Sequence, residues 1–379
     1  MDKFPQKLSQ KLAERAASNA LRKLTISNNP IDLSSNDYLG FARDARIFDQ
    51  ASKVLEERSF KHNGATGSRL LSGNSALYEA LENDLAIFHD CEAALVFNSG
   101  YDANLGLFSS VPQRGDIILY DELVHASIRD GLGKGNAKAF KFKHNDLADL
   151  KKVMELNRPA THTGEVYVVT ESVYSMDGDR PDLVGFVQLC KDHKCRLIVD
   201  EAHAVGVFGS SGAGLVQELG LQAQVFARIV TFGKALGCHG AAILGGNILK
   251  QYLVNFARSF IYTTGVPPHS LATVLVSYQE LARTAHLAKL RENISFFREQ
   301  LAHHGLDFIE STSAIHCCIV PGNDRVKEIA QQLQEKGFDV KPIVSPTVKE
   351  GEERLRFCLH AYNTKTEIAE VLRLLTIFI

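Results

Sequence analysis

In the stretch Arg196-Leu-Ile-Val-Asp-Glu-Ala-His203, a short apolar run is followed by two acids and a histidine. The stretch Arg228-Ile-Val-Thr-Phe-Gly-Lys234 has the same pattern, with a lysine after the apolar run. Continuous apolar runs, without the alternation of a half-exposed strand, are typical of strands buried on both faces of a parallel sheet. Ligands bind at the carboxyl ends of such strands. The acid, the histidine and the lysine are therefore expected at one edge of one sheet, together with Glu171-Ser-Val-Tyr-Ser-Met-Asp-Gly178, which follows a third apolar run.

Similar runs occur throughout the middle of the chain, where short β-branched or apolar segments alternate with helical patterns. This alternation predicts an α/β fold whose central, mostly parallel sheet is flanked by helices. The predicted strands are Ala94–Phe97, Asp116–Tyr120, Lys138–Phe142, Val166–Thr170, Arg196–Asp200, Arg228–Thr231 and Ala241–Gly245.

The two ends of the chain show other patterns. Apolar residues at four-residue steps predict an amphipathic helix over about residues 3 to 24. A long helical pattern runs from Ser270 to His303, short strand and helix patterns follow it, and Thr364-Lys-Thr-Glu367 predicts the start of the last helix. We therefore expect an N-terminal arm (residues 1–45), a large domain (46–270) and a small C-terminal α+β domain (271–379) that includes the long helix.

The near-neutral net charge of the chain argues against nucleic acid as a binding partner. Over 379 residues, 42 Lys and Arg against 44 Asp and Glu give a formal charge of −2, whereas proteins that bind nucleic acid usually carry a basic excess. No apolar run approaches the roughly 20 residues that span a bilayer, and the N-terminus lacks the apolar core of a signal peptide. Seven scattered cysteines without paired CxxC motifs predict reduced thiols and no metal site. We expect a cytoplasmic protein that acts on small molecules.

Several enzyme classes are excluded by missing motifs. Asp200-Glu-Ala-His203 also occurs in helicases, which require a GxxxxGK loop followed by Ser or Thr. The nearest candidate, Gly131-Leu-Gly-Lys134, has the wrong spacing and is followed by glycine. Neither a GxGxxG dinucleotide motif in the first βα unit nor a GxSxG nucleophile elbow is present.

What remains is a lysine after one strand, and an aspartate with a nearby histidine after another. This set suits pyridoxal phosphate. The Lys234 amine can hold the cofactor as a Schiff base, and a buried Asp200 can keep the pyridine nitrogen protonated so that the ring accepts electrons. Because a lysine close after a glycine is common, spacing alone leaves other interpretations open.

A set of segments, occurring in order along nearly the whole chain, carries a family resemblance. They are Asn36-Asp-Tyr-Leu-Gly40, Gly67-Ser-Arg-Leu-Leu-Ser-Gly73, Asn98-Ser-Gly-Tyr-Asp-Ala-Asn104, His125-Ala-Ser127, Glu171–Gly178, Asp200–His203 and Thr231–Lys234. Together they resemble the α-oxoamine synthases, which are pyridoxal-phosphate enzymes of the aspartate aminotransferase fold (fold type I). The resemblance implies an acyltransferase that acts as a homodimer with shared active sites.

The first two segments most resemble the branch that joins L-alanine to a pimeloyl thioester, with loss of CO2, in biotin biosynthesis. Asp200-Glu in place of Asp-Asp, Lys234-Ala-Leu-Gly and Thr264-Gly-Val depart from that branch. A glycine C-acetyltransferase, or another α-oxoamine synthase with a different acyl donor, therefore stays open. A non-catalytic cofactor-binding protein is a remote alternative, and the presence of Lys234, His125 and Arg356 speaks against it.

Matched position by position, the resemblance implies roles at the cofactor. Lys234 would hold the cofactor and remove the Cα proton, Asp200 would pair with the pyridinium nitrogen, and His203 would hydrogen-bond the ring hydroxyl oxygen. His125 would lie over the ring and help to position the substrate. The other implied cofactor contacts are Ser175, the phosphate-binding amides of Gly100 and Tyr101 at a helix N-terminus, the hydroxyl of Thr231, and Thr264, which would reach the phosphate in the neighbouring subunit.

The resemblance also implies substrate contacts. Arg356 would bind the amino-acid carboxylate, since a planar guanidinium suits bidentate recognition. Arg354 is its rival, because alternation along a strand places both on one face. Arg22 and Thr347 match further substrate contacts, although Lys349-Glu-Gly departs from the proline that usually follows in the family.

Overall fold

The computed structural model describes residues 4–22, 24 and 31–379. The chain forms two compact units. The large unit comprises Asp37–Ser175 and Arg180–Leu287, and the small unit comprises Met1–Asn36, Met176–Asp179 and Ala288–Ile379.

Strands and helices are named in chain order. The strands are β1 (Ile31–Asp32), β2 (Ala93–Phe97), β3 (Ile117–Asp121), β4 (Lys138–Phe142), β5 (Val166–Glu171), β6 (Arg196–Asp200), β7 (Ala227–Thr231), β8 (Ala241–Gly245), β9 (Ile315–Ile319), β10 (Phe338–Asp339), β11 (Lys341–Ile343) and β12 (Arg354–Cys358). The helices are α1 (Gln6–Ala17), α2 (Ala45–Glu57), α3 (Ala76–Phe88), α4 (Gly100–Ser110), α5 (Ala126–Lys134), α6 (Leu147–Asn157), α7 (Leu183–Asp192), α8 (Leu215–Glu218), α9 (Asn247–Phe256), α10 (Arg258–Ile261), α11 (Pro268–Leu281), α12 (His286–His304), α13 (Asn323–Glu335) and α14 (Lys365–Phe378). None of these helices is long and apolar enough to cross a membrane.

The large unit is built on a seven-stranded sheet in the order β2-β8-β7-β6-β5-β3-β4. Strands β3 to β7 run parallel to one another, whereas β8 is antiparallel to both of its neighbours. All the predicted strands of this sheet are present, with ends that differ from the prediction by at most one residue. The predicted mostly parallel α/β fold is confirmed.

The inner strands of the sheet are buried on both faces because they are apolar on both, whereas the edge strand β4 is mostly exposed. Every residue of β2 and β5 is buried, as is β6 from Leu197 onward. Helix α4 packs on β2, β7 and β8 and against α5. The apolar core under these helices includes Phe97, Leu107, Phe108, Ile128, Ile198 and Ile229. Burial of such side chains stabilises the fold by roughly 1.5–3 kcal/mol each.

This topology brings several segment ends to one edge. In the parallel register Glu171 lies opposite Asp200, and Asp200 lies opposite Ile229, two residues before the end of β7. On the other side, Phe97 pairs with Ala241, and Ala241 pairs with Thr231. The ends of β2, β5, β6 and β7, and the start of α4, therefore meet at the same edge of the sheet.

The small unit contains an antiparallel sheet in the order β11-β12-β9 and a parallel pair of β1 with β10. Helix α14 begins with the predicted capping box: Thr364 Oγ1 accepts from the Glu367 amide, and the Glu367 carboxylate accepts from the Thr364 amide. These bonds satisfy N–H groups that a helix N-terminus otherwise leaves without partners.

The single long helix predicted from Ser270 to His303 is wrong. Two helices, α11 and α12, occupy this region, and residues 282–285 separate them. Thr284 Oγ1 accepts a hydrogen bond from the His286 amide at 3.2 Å, which satisfies a first-turn donor of the second helix. Both helices bury several apolar residues, so the helical sequence pattern continues across the break and does not reveal it.

The first helix is shorter than predicted. α1 ends at Ala17, and Asn19 then adopts a left-handed conformation with φ 48°. The Asn19 amide donates to the carbonyl of Ala16 and the Ala20 amide to that of Arg15, which is the Schellman pattern that ends a helix. Residues 3 and 23 of the predicted range lie outside the described residues.

Candidate active site

Asp200, the last residue of β6, is a buried carboxylate at the shared edge, with 5% of its surface exposed. Oδ2 accepts from Nδ2 of Asn104 at 2.9 Å, and Oδ1 accepts from the Ala202 amide at 2.9 Å. Both donors are neutral groups. A buried carboxylate that accepts only from neutral donors suits a ligand that brings a cation, such as a protonated pyridine nitrogen.

His203 lies in the turn that follows Asp200 and is also buried. Its Nδ1 is 2.7 Å from the hydroxyl of Tyr38, which is fully buried. When the phenol donates to Nδ1, the ring proton sits on Nε2, and His203 can donate a hydrogen bond to a ligand oxygen. A donor at Nε2 is what the implied hydrogen bond from His203 to a ring hydroxyl oxygen requires.

Lys234 lies in the loop after β7 and is half-buried. The loop is held by hydrogen bonds from the Gly237 amide to the Lys234 carbonyl at 2.8 Å and from the Cys238 amide to the Phe232 carbonyl at 2.7 Å. Burial lowers the pKa of His125 and raises that of Glu171, and the positive charge of Lys234 adds to the first shift and opposes the second. The amine is therefore in electrostatic range of the groups at the edge.

Glu171, the last residue of β5, was assigned no role from the sequence. It is 3% exposed, and its Oε1 accepts from the backbone N–H of His125. Burial raises the pKa of Glu171 well above its usual value, and the neighbouring Asp200 raises it further, whereas Lys234 opposes the shift. Glu171 therefore favours its neutral, protonated form.

The start of α4 provides amides for an anion. The Ser99 side chain caps the helix by accepting from the Asp102 amide, whereas the amides of Gly100 and Tyr101 donate to no described residue. A Cβ at Gly100 would lie 2.6 Å from Cγ2 of Thr231, so the threonine abuts these amides. Unpaired N–H groups, the helix dipole and an adjacent hydroxyl fit a phosphate.

Two other predicted cofactor contacts lie in the large unit. Thr264 is exposed, and its carbonyl accepts from Nδ2 of Asn98 at 2.7 Å, which ties its loop to the turn between β2 and α4. Ser175 is half-buried and follows β5 by four residues. Their implied roles toward the cofactor stay predictions.

In the small unit, the two arginines of β12 have different environments, although both are buried. Arg354 forms an ion pair with Asp177 and donates to the carbonyls of Met176 and Glu352. Arg356 donates to Sγ of Cys358 at 2.8 Å and to Oδ1 of Asn36 at 3.0 Å. Arg354 is thus paired with a carboxylate of the same unit, and the role of Arg356 as the substrate ligand stays a prediction.

Arg22 and Thr347, both predicted from the sequence as substrate contacts, are brought together by the small unit. Nη2 of Arg22 donates to Oγ1 of Thr347 at 3.2 Å, and both side chains are exposed. The segment before Arg22 is anchored on α13, where Asn19 donates to Asp324 at 2.7 Å.

Four site residues have no role that the sequence assigns: Tyr38, Asn104, Ser127 and Glu171. Each lies in a segment that carried the family resemblance, and that is the signal that could have identified them. Their roles depend on contacts with residues far along the chain, which the segments taken singly do not show.

Comparisons with known proteins agree with this geometry. Residues 28–375 match the family of class I and II aminotransferases. A relative from Emericella nidulans, described as 8-amino-7-oxononanoate synthase, is 41% identical over 95% of this chain and 92% of its own length.

Two solved structures are similar over almost the whole chain. A serine palmitoyltransferase from S. paucimobilis with bound PLP is 27% identical with a TM-score of 0.88, and covers 98% of this chain and 96% of its own. The 8-amino-7-oxononanoate synthase from Francisella tularensis is 28% identical with a TM-score of 0.77. The match covers 92% of this chain and 97% of that structure's chain. The chain belongs to the class I and II aminotransferase family and, within it, to the α-oxoamine synthases, which are pyridoxal-phosphate-dependent acyltransferases.

Proposed function

We propose that this enzyme condenses L-alanine with a pimeloyl thioester, giving 8-amino-7-oxononanoate, CO2 and the free thiol in biotin biosynthesis. The observation that carries the reaction class is the presence of Asp200, His203 and Lys234 at one edge of the large-unit sheet. The choice of substrates rests on the Emericella nidulans relative.

Pyridoxal phosphate supplies a ring that accepts electrons from the substrate Cα. Nζ of Lys234 is proposed to hold the cofactor and later to take the Cα proton. Asp200 would pair with the ring nitrogen and keep it protonated, and His203 would donate a hydrogen bond to the ring oxygen. The amides of Gly100 and Tyr101, with the Thr231 hydroxyl, bind the phosphate.

The remaining implied contacts complete the proposal. Arg356 binds the carboxylate of the amino acid, and Arg22 and Thr347 contact the substrate. Ser175 would contact the cofactor, and His125 would lie over its ring. Thr264 reaches the phosphate in the partner subunit, so the enzyme is proposed to act as a homodimer.

A reducing compartment, the cytoplasm, is proposed as the place of action. All seven cysteines are free thiols, and each is buried or half-buried. Thiols of this kind persist where disulfides do not form.

Thiol release tests the substrates. Alanine, glycine and serine are each paired with acetyl, pimeloyl and palmitoyl thioesters, with coenzyme A or a carrier protein as the thiol. We expect the alanine–pimeloyl pair to give the highest kcat/KM. A preference for glycine with an acetyl thioester would instead identify a glycine C-acetyltransferase, and serine with a palmitoyl thioester would match the structural neighbour.

Gly100→Ala is expected to weaken cofactor binding at least tenfold, because the new methyl group would lie 2.6 Å from Thr231 and displace one wall of the phosphate site. The measurement is the dissociation constant of pyridoxal phosphate from the refolded or dialysed enzyme. Gly133→Ala is the matched control, since its Cβ meets nothing within 4 Å on α5. Equal cofactor affinity in both variants would contradict the placement of the phosphate.

Arg356→Lys is expected to raise the KM for the amino acid by about tenfold, because lysine keeps the charge but loses the bidentate geometry. The absorption of the bound cofactor should stay unchanged. In the control Arg354→Lys, the Asp177 pair is disturbed, so lower thermal stability with a smaller change in KM is expected. The reverse result would make Arg354 the substrate ligand.

A further inference from the structure

Two buried residues without an assigned role connect His125 to Asp200. Asn104, on α4 and 2% exposed, donates through Nδ2 both to Asp200 Oδ2 at 2.9 Å and to Ser127 Oγ at 3.0 Å. Ser127, on α5 and 1% exposed, has its Oγ 2.7 Å from Nδ1 of His125. A continuous chain of hydrogen bonds thus runs from the carboxylate at the sheet edge to the imidazole.

The Asn104 amide sets the direction of this chain. Its nitrogen faces two oxygen atoms, and the reversed amide would place a carbonyl oxygen against the Asp200 carboxylate with no proton between them. Its Oδ1 accepts no hydrogen bond from a described residue, so nothing among them favours the reversed orientation. Asn104 donates to Ser127 Oγ, and the proton of the serine hydroxyl remains available for a hydrogen bond to Nδ1 of His125 at 2.7 Å.

A second donor points at the same ring nitrogen. The backbone amide of Ser127 donates to Nδ1 of His125 at 3.2 Å, which caps the first turn of α5. An N–H group can face Nδ1 only when that nitrogen carries a lone pair. Two donors, the hydroxyl and the amide, therefore require the ring proton to be on Nε2.

We infer that Asn104 and Ser127 are positioning residues that hold His125 as the neutral Nε2–H tautomer, presented to the substrate as a hydrogen-bond donor. The inference rests on the proposed function for the identity of the acceptor. Negative charge develops on the thioester carbonyl oxygen when the new carbon–carbon bond forms, and a fixed N–H donor stabilises it.

The electrostatics around His125 agree with a neutral ring. Burial lowers the pKa of its imidazolium, and the positive charges of Lys234 and Arg129 lower it further, whereas Asp200 and Asp130 oppose the shift. Glu171 accepts the backbone N–H of His125 and so fixes the main chain from which the ring extends.

The tautomer is measured directly by nitrogen NMR on the holoenzyme labelled with ¹⁵N-histidine, with the His125 signals assigned by their loss in His125→Gln. We expect a protonated, pyrrole-type Nε2 and an unprotonated, pyridine-type Nδ1 at neutral pH. A protonated Nδ1, either in the other tautomer or in an imidazolium, would overturn the inference. This readout does not depend on turnover.

Ser127→Ala removes the hydroxyl donor and the link to Asn104. We expect mixed tautomers in the spectrum and kcat lowered about tenfold, the effect of one hydrogen bond in the transition state, with the KM for the amino acid unchanged. Ser127→Thr keeps the hydroxyl and should restore both, and Ser52→Ala on the exposed face of α2 is the neutral control.

An unchanged His125 spectrum and unchanged kcat in Ser127→Ala would overturn the role of Ser127. The two proposals fail differently. If the wild-type enzyme turns over none of the substrate pairs but shows the Nε2–H tautomer, the proposed function is wrong and the positioning network stands.

Discussion

Lys234→Ala is expected to abolish turnover and the visible absorption of the covalently held cofactor together. The Lys234 amine is proposed both to hold the cofactor and to take the Cα proton. Loss of a positioned general base alone costs about 10²–10⁴-fold in rate, and loss of covalent cofactor binding adds to it. Absorption spectra and thiol release with alanine and a pimeloyl thioester measure the two effects.

The control for this variant is Lys134→Ala, which removes an exposed lysine at the end of α5. It should keep both the spectrum and the rate of the wild-type enzyme. A Lys234→Ala enzyme that stays yellow and active would show that another amine performs the chemistry.

Asp200→Asn is expected to lower kcat by roughly 10²–10⁴-fold while the fold persists. Asparagine has nearly the same shape but lacks the charge that keeps a ring nitrogen protonated. Breaking a buried ion pair by removing one partner costs about 3–5 kcal/mol, which corresponds to this range of rates. Stopped-flow measurement of substrate Cα proton exchange should show the loss at the proton-removal step.

Asp192→Asn, at the exposed end of α7, is the matched control, because it removes the same charge from the helix that precedes β6. Its kcat should equal that of the wild-type enzyme. If Asp200→Asn retained wild-type kcat and cofactor absorption, the buried carboxylate would have a structural role and the proposed pairing would be wrong.

The strands of the central sheet could be predicted because each one is marked by a run of consecutive apolar residues in the sequence. The runs ending at Phe97, Asp200 and Thr231 are apolar over consecutive residues, and only a strand buried on both faces suits such a run. Helix boundaries are not encoded locally where the same apolar periodicity continues from one helix into the next. At the break between α11 and α12, the Thr284 side chain accepts a hydrogen bond from the His286 amide, a contact that a periodic pattern does not reveal.

The titratable residues of the candidate site could be predicted from the sequence, but the residues that hydrogen-bond to them could not. Asp200, His203 and Lys234 follow strands, so their meeting at one edge follows from parallel pairing. Tyr38, by contrast, contacts His203 from 165 positions away along the chain. A contact of this kind depends on how a distant loop folds back, and the residues beside Tyr38 do not encode its partner.

By itself, the sequence determined the α/β class, the strands of the large unit and the acid, histidine and lysine that suit pyridoxal phosphate. The tertiary structure decided which neighbours those groups have. Antiparallel β8 places Thr231 beside Gly100, Asp177 engages Arg354, and Asn104 joins Asp200 to Ser127. The physical reason is that strand and helix patterns arise from adjacent residues, whereas hydrogen-bond partners depend on strand order and side-chain direction in the folded chain.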